Sequence, residues 1–118
     1  MSTTTTFTCF ISDPMNLEGD KRYIHLDIGI DNSQYVQKLH TKNGKAVRHL
    51  IDPLIGTILK IKIPFRYNRV MCKVSGNKTV QELVKGDRVS VVLKYCGWWE
   101  SDDYGGPSWK LVSVNYQV

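Results

Sequence analysis

The sequence predicts an all-β domain, a small antiparallel β-barrel of five to seven strands with one short helix. The first observation is the strict alternation of apolar and polar residues, which is the period of a half-buried strand. In the segment Ile58–Tyr67, for example, Leu59 and Ile61 alternate with Lys60 and Lys62. The second observation is that turn-forming residues separate such segments at short intervals. The third is that only one segment has helical character.

The first two strands are expected on either side of a turn. Phe7–Ile11 predicts the first strand and Ser12-Asp13-Pro14 predicts its end, whereas residues 1–6 are expected to be frayed. Lys21–Asp31 predicts a second strand with one apolar and one polar side. Gly29 in this segment predicts a bulge or strong curvature, which a small barrel requires.

A hairpin is expected in the middle of the chain. The pair Asn43-Gly44 is typical of a two-residue hairpin turn, and it predicts pairing of Tyr35–Thr41 with Lys45–Leu50. His40 and His49 would then lie near one another. A metal site is not predicted there, because a third ligand is missing.

The second half of the chain predicts one short helix and two long strands. Thr79–Val84 has the pattern of a capping box, with Thr79 as N-cap and Glu82 three residues later. Arg88–Cys96 and Ser108–Tyr116 predict the last strands, joined by a loop. Alternation assigns eight residues to the barrel interior. They are Ile24, Leu26, Ile28, Leu59, Ile61, Val89, Val91 and Leu93.

Length and composition predict a single domain over residues 1–118. The chain has 118 residues, of which 42% are hydrophobic, and this suffices for one core without disulfides or metal. Cys9, Cys72 and Cys96 are odd in number and form no CxxC pair, which favours buried thiols in a reducing compartment. The sequence contains neither a secretory signal pattern nor a membrane span. We therefore expect an intracellular protein, in the cytoplasm or nucleus, that is not secreted and has no membrane partner.

The positive charge is concentrated in one part of the chain. The formal net charge is +5, and residues 57–94 contain nine Lys or Arg against two acidic residues. The rest of the chain has seven basic and nine acidic residues. Two predicted strands in the basic part, Ile58–Tyr67 and Arg69–Val74, carry cations on their polar side. This concentration indicates a polyanionic partner.

No constellation in the sequence predicts catalysis. The three histidines are scattered, and GxSxG, HExxH, GxGxxG and P-loop motifs are missing from the sequence. Asp102 and Asp103 are adjacent, so their side chains diverge in an extended chain, and they are better explained as soluble turn residues. The sequence thus predicts a protein with no enzymatic activity, metal or cofactor.

The loop Gly97–Pro107 is rich in aromatic residues. Six of the twelve aromatic residues of the chain lie between Val84 and Val118, in or beside this loop. Aromatic rings on a loop are hard to enclose in a core, and they provide faces on which unpaired bases stack. Together with the cationic strands they predict binding of single-stranded nucleic acid, since a duplex hides its base faces.

The segment Leu83–Val91 carries a family resemblance. Leu83-Val84-Lys85-Gly86-Asp87-Arg88-Val89-Ser90-Val91 follows the pattern L-x-x-G-D-x-V-x-V and precedes a long loop and a terminal strand. The part of the chain from Lys60 to Val118 therefore resembles the second half of an OB-fold single-stranded DNA-binding protein. The resemblance implies an OB-like barrel and sequence-tolerant binding of single-stranded DNA in replication, recombination or repair.

The expected interface lies on the basic strands and the aromatic loop. Its residues are Lys60, Lys62, Arg66, Tyr67, Arg69, Lys73, Lys94, Trp98, Trp99, Tyr104 and Trp109. Adjacent Trp98 and Trp99 should point to opposite sides, so one is expected to pack while the other faces the ligand. Trp109 opens a strand, and a place in the core is an equal alternative for it.

The sequence leaves several alternatives open. RNA in place of DNA and a homo-oligomer are both compatible with it. The alternative function is a protein-interaction module, or a structural subunit of a larger and even viral assembly, with the Trp-rich loop as anchor. Bacterial members of the family carry an acidic tail after the last strand, which Tyr116-Gln117-Val118 lacks. A compact phage or viral version is therefore as good an expectation as a housekeeping protein.

Overall fold

A computed structural model describes residues 3–42, 47–67 and 69–116 of the chain. Most of these residues lie in strands. The strands are β1 (Thr3–Glu18), β2 (Lys21–Asp27), β3 (His49–Leu50), β4 (Leu54–Ile55), β5 (Ile58–Ile63), β6 (Phe65–Arg66), β7 (Arg69–Val70), β8 (Lys73–Ser75), β9 (Arg88–Ser101) and β10 (Tyr104–Tyr116). One α-helix, α1 (Gly29–Lys42), follows β2, and a 3₁₀ turn (Val80–Glu82) precedes β9.

Five strands close into a ring, in the order β1, β2, β5, β10, β9 and back to β1. Four of the five pairings are antiparallel. The fifth joins β10 to β5 in parallel through a single pair, Lys110 with Lys62. This confirms the predicted all-β, barrel-like fold.

The interior of the ring consists of the residues that alternation predicts. All eight predicted core residues are buried, with at most 3% of any side chain exposed. Phe7, Cys9 and Ile11 of β1 and Trp109 and Leu111 of β10 complete the same cluster. Burial of this much apolar surface is the main stabilising contribution to a barrel of this size.

The N-terminal strand is longer than the sequence predicts. The expected turn at Ser12-Asp13-Pro14 is wrong, and so is the expected frayed start from Thr3 onward, because β1 runs without interruption from Thr3 to Glu18. Residues 1–2 lie outside the described residues. Its first part pairs with β9 and its second part with β2. Two register shifts, after Ile11 and after Asp13, interrupt its pairing with β2. Pro14 lies in this irregular part, where a missing N–H is tolerated.

The helix α1 occupies a segment for which strands were predicted. The second strand ends at Asp27, and Gly29, with φ of +82°, begins the helix instead of a bulge. Tyr35–Thr41 is helical, so the predicted pairing with Lys45–Leu50 is wrong; the Asn43-Gly44 turn itself lies outside the described residues. In the part of the chain that the structure describes, no helix is long and apolar enough to cross a membrane.

The short helix before β9 is confirmed. Val80–Glu82 forms one 3₁₀ turn. The backbone N–H and the hydroxyl of Thr79 both donate to Glu82 Oε1, each at 3.0 Å. The Glu82 carboxylate therefore pairs with donors at the start of the turn that would otherwise have no partner, as the capping box predicts. Gly86, with φ of +93°, then turns the chain into β9.

The chain leaves the barrel between β5 and β8. After Ile63 it forms a hairpin of β6 and β7, which is closed at its base by a 2.7 Å hydrogen bond from Met71 N–H to the Pro64 carbonyl. The predicted continuous strand Ile58–Tyr67 therefore stops at Ile63. Tyr67 lies at the hairpin tip with φ of +52° and does not belong to the apolar side of β5.

Candidate functional site

Three lysines lie side by side on the outside of the barrel. Their neighbours in the strands, such as Ile61, Leu93 and Leu111, point inward, so Lys62, Lys94 and Lys110 point outward. Lys110 is the register partner of Lys94 on one side and of Lys62 on the other. The three residues form what we call the lysine row, and it crosses β5, β10 and β9 at one level.

The lysine row is electrostatically unfavourable in the free protein. Like charges on directly opposed strand positions are destabilising, and here two such pairs share Lys110. No carboxylate among residues 3–42, 47–67 and 69–116 forms an ion pair with any of the three. Lys78, by contrast, lies 2.8 Å from Asp87 Oδ2 and Lys60 lies 2.7 Å from Glu18 Oε2. An anion bound at the row would relieve the repulsion.

Lys60, which the sequence places in the interface, is already engaged within the protein. Besides its ion pair with Glu18, its Nζ lies 4.3 Å from the centroid of the Tyr23 ring. A ligand phosphate would have to replace both contacts. Lys60 is therefore less available to a ligand than the three lysines of the lysine row.

The β6–β7 hairpin adds further cations and one ring. Arg66 and Arg69 are cross-strand partners and both are exposed. Tyr67 at the tip has 90% of its surface exposed, the highest value among the large apolar side chains of the described chain. Lys73 follows on β8, next to Ser113 of β10. The hairpin therefore extends the positive surface outward from the barrel.

A cleft lies between this hairpin and the barrel wall. Its volume is about 570 Å³, and Lys62, Arg66 and Lys110 contribute three cations to its lining. Pro64, Phe65 and Met71 supply apolar surface on the hairpin side, and Cys96 and Ser108 lie on the barrel side. The Arg22 guanidinium lies 4.2 Å from the Phe65 ring centroid and fixes this ring at the cleft.

The two adjacent tryptophans occupy opposite environments. Trp98 packs against the hydrophobic core, and its Nε1 donates to the carbonyl of His40 at 3.3 Å. Trp99 is 37% exposed, and its register partner is Gly106, which has no side chain to cover it. As expected, one of the two indoles is packed and the other is accessible to solvent. Whether Trp99 contacts a ligand stays a prediction.

Trp109 does not fit an interface role, because it is only 2% exposed. Its Nε1 donates to Nε2 of His40 at 2.9 Å, and its ring centroid lies 5.1 Å from that of Tyr95. A ring enclosed in this way cannot stack on a base. Of the two alternatives for Trp109, the structure selects the core.

His40 is held in one protonation state by these contacts. Because an indole N–H only donates, Nε2 of His40 must accept and the imidazole must be neutral. Nδ1, which then carries the proton, lies 3.3 Å from Asp52 Oδ1. Burial lowers the pKa of His40 below the ordinary 6.5, and the Asp52 carboxylate opposes this effect in part. The Tyr95 ring stacks 5.9 Å away on another side.

Acid is expected to destabilise the fold through His40. Since the folded chain binds this proton less readily than the unfolded chain, the contribution of neutral His40 is complete above pH 6.5 and is lost as the pH falls below that value. Urea unfolding between about pH 7.5 and 5.5 should show it, because carboxylates titrate mainly below this window. His40→Gln keeps an acceptor for Trp109 without titrating and should flatten the dependence. An unchanged pH profile in this variant would contradict the assignment.

The predicted loop Gly97–Pro107 is wrong, because β9 continues to Ser101 and β10 begins at Tyr104. Tyr104 is exposed beside the two-residue turn between these strands. Its ring is 50% exposed, and one side is supported by His49, whose ring centroid lies 5.0 Å away. His49 is on β3, which pairs with β10 at Tyr104 and Gly105. The sequence predicts that His40 and His49 lie near one another across a hairpin. This prediction is wrong, because His40 lies in α1 and His49 lies in β3. Lys110 lies six positions after Tyr104 on β10, a distance of about 20 Å along a strand.

Lys110 is the member of the lysine row that the sequence-based set of candidate interface residues did not include. It lies between Trp109 and Leu111, both buried, so alternation alone would have placed it on the outer side. Its importance comes from its two lysine partners, and one of these pairings joins strands far apart in the sequence. The outward position could be predicted, but the lysine row could not.

Comparison of the chain with protein-family models, curated proteins and solved structures found no match. Within the described ranges, no group of three or more His, Cys, Asp or Glu side chains is arranged to hold a metal ion.

Proposed function

We propose that the protein binds single-stranded nucleic acid, in the first place DNA, with little sequence preference. The observation that supports this most strongly is the lysine row, three adjacent cations without a carboxylate partner in the described chain. Phosphates spaced along a strand would neutralise these charges and release counterions. Such contacts hold a backbone in place without reading its bases.

Exposed aromatic rings near the lysine row favour binding of single strands over binding of duplexes. Tyr67 lies on the hairpin beside the row, and Trp99 and Tyr104 lie towards the far end of β9 and β10. Stacking on such rings requires unpaired bases and tolerates any sequence. The separation of about 20 Å suits a strand that spans several nucleotides, within the range of roughly 4–16 known for OB-fold sites. A protein of this kind would serve replication, recombination or repair.

Titration of labelled oligonucleotides is the first test. We expect oligo-dT to bind most tightly, oligo-U comparably or more weakly, and duplex DNA much more weakly. Raising the salt from about 50 to 200 mM should weaken binding steeply, because several phosphates are neutralised. Because a helix can enter a major groove, the duplex measurement also tests whether α1 binds duplex DNA in this way. Equal affinity for duplex and single strand at physiological salt would overturn the proposal.

A protein-interaction module is the second candidate, and one observation favours it. Leu50, Ile51 and Ile55 are 56%, 47% and 78% exposed and follow each other in the segment that includes β3 and β4. Because β3 pairs with β10 at Tyr104, this apolar surface is continuous with an exposed ring. Apolar and aromatic anchors of this kind are typical of protein interfaces. Binding through them would be nearly independent of salt, which distinguishes the two functions.

A further inference from the structure

The cleft exists because the barrel is nearly open at one seam. Strands β5 and β10 are joined by the single pair Lys62–Lys110, whereas β9 and β10 pair along most of their length. The β6–β7 hairpin follows β5 in the chain, and its residues Phe65 and Arg66 line the cleft together with Lys62 and Lys110 of this seam. The space between hairpin and seam is therefore accessible from outside and bounded on two sides.

The lining of the cleft combines two kinds of chemistry. Lys62, Arg66 and Lys110 can donate to an anion, and Arg66 in particular has a planar guanidinium suited to phosphate oxygens. In the same lining, Met71 is 50% exposed, and with Pro64 it presents an apolar surface. Met packs well against flat rings because its thioether is flexible and polarisable. Ser108 adds a hydroxyl on the barrel side.

We propose that the cleft holds one nucleotide of the bound strand, with its phosphate among Lys62, Arg66 and Lys110 and its base inserted against Met71 and Pro64. This inference rests on the proposed binding of single strands and assigns it a specific subsite. A phosphate alone would use only the cations of the lining, and an apolar ligand only its apolar residues. A nucleotide uses both, and a cleft of about 570 Å³ falls within the usual range for small-ligand sites.

Cys96 provides a direct probe, because it lies in the lining of the cleft and is exposed. The other two thiols are less reactive. Burial raises the pKa of Cys9 to about 12 and also raises the pKa of the half-buried Cys72. Since the thiolate is the reactive form, a maleimide should label Cys96 first. In the Cys72→Ser variant, Cys96 should be the single reactive thiol, and peptide mapping of the labelled wild-type chain gives the same measurement without any substitution.

The experiment measures the rate of Cys96 labelling with and without oligo-dT, while fluorescence anisotropy reports binding of the same oligonucleotide. At about 100 times Kd only about 1% of the protein is free, so labelling should slow by up to about a hundredfold. A bound polyanion also disfavours the thiolate without covering it. An abasic oligonucleotide of equal length, which carries the phosphates alone, controls for this effect and should protect Cys96 much less.

Each result of the labelling experiment leads to one conclusion. Strong protection by oligo-dT and weak protection by the abasic strand is the expected result. If oligo-dT binds but the labelling rate is unchanged, or if the abasic strand protects equally, the nucleotide subsite is wrong while strand binding stands. If thymidine monophosphate protects as well as oligo-dT at equal nucleotide concentration, the cleft is a site for free nucleotides and the inference is overturned. If no oligonucleotide binds, the proposed function itself fails.

Discussion

Lys110→Glu is expected to weaken oligonucleotide binding by about ten- to a hundredfold at low salt while leaving the fold at least as stable as before. The residue lies between Lys94 and Lys62, so a carboxylate there can pair with both lysines. Binding would lose one cation and would also have to compete for the other two. A hydrogen bond to a charged group contributes about 1.5–3 kcal/mol, which corresponds to this range of affinity.

Lys110→Glu should weaken binding but stabilise the fold, because the lysines of the row repel one another in the free protein. Replacing two like-charge pairs by two opposite-charge pairs should raise the free energy of unfolding by a few tenths to about 1 kcal/mol. A substitution that stabilises the protein and impairs binding is the pattern expected where function places like charges together. Neither a solubilising surface nor an aromatic-anchored protein interface predicts this combination.

Lys38→Glu is the matched control, since it makes the same change in net charge at an exposed position on α1. Affinity should fall only slightly in this variant, and its dependence on salt should stay as in the wild type. The slope of log affinity against log salt should become shallower by at least about 0.7 in Lys110→Glu. If both variants lose affinity equally, the effect comes from net charge alone and the lysine row is not the binding surface.

The barrel could be predicted from the sequence because its strands are half-buried. All eight expected core residues are buried, and seven of them lie in β2, β5 and β9, where a period of two is set by the pleat itself. The short 3₁₀ turn was also predictable, because Thr79 and Glu82 interact locally. Features that depend on neighbouring residues alone were thus accessible without a structure.

The helix α1 was missed for a physical reason. Its buried positions are Ser33, Val36 and His40, so two of the three residues on its inner side are polar and hydrophobic periodicity is weak. The alternation of β2 also runs on as far as Ile28, which is buried, and this concealed the boundary. The charges at its ends, Asp31 in the first turn and Lys42 in the last, were the signal that could have shown it.

For the candidate site, the sequence predicted which residues could take part but not which partners they contact in the fold. Sequence reasoning correctly treated Trp98 and Trp99 as having different environments, because adjacent residues in a strand point to opposite sides. It could not show that Glu18 engages Lys60 or that His40 encloses Trp109, since these partners are far apart in the sequence. Such pairings are decided by the tertiary fold.

The three tryptophans should separate stability from binding. Trp109→Ala is expected to lower the free energy of unfolding by about 3–5 kcal/mol, because it empties a fully buried site. It also leaves Nε2 of His40, a buried acceptor, without its donor, which adds to the cost. Trp98→Ala should act in the same direction near the lower end of this range, since Trp98 is only partly buried.

Trp99→Ala is the matched control on β9, with the same atoms removed from an accessible position. It should change the free energy of unfolding little and weaken oligonucleotide binding by roughly five- to a hundredfold, the effect of about 1–3 kcal/mol for one stacked base. Tyr104→Ala should resemble Trp99→Ala. The measurements are urea unfolding for all four variants and anisotropy titrations for those that remain folded. Normal binding by folded Trp99→Ala and Tyr104→Ala together would remove the rings from the nucleic-acid site. The apolar surface from Leu50 to Ile55 would then be the better explanation for their exposure.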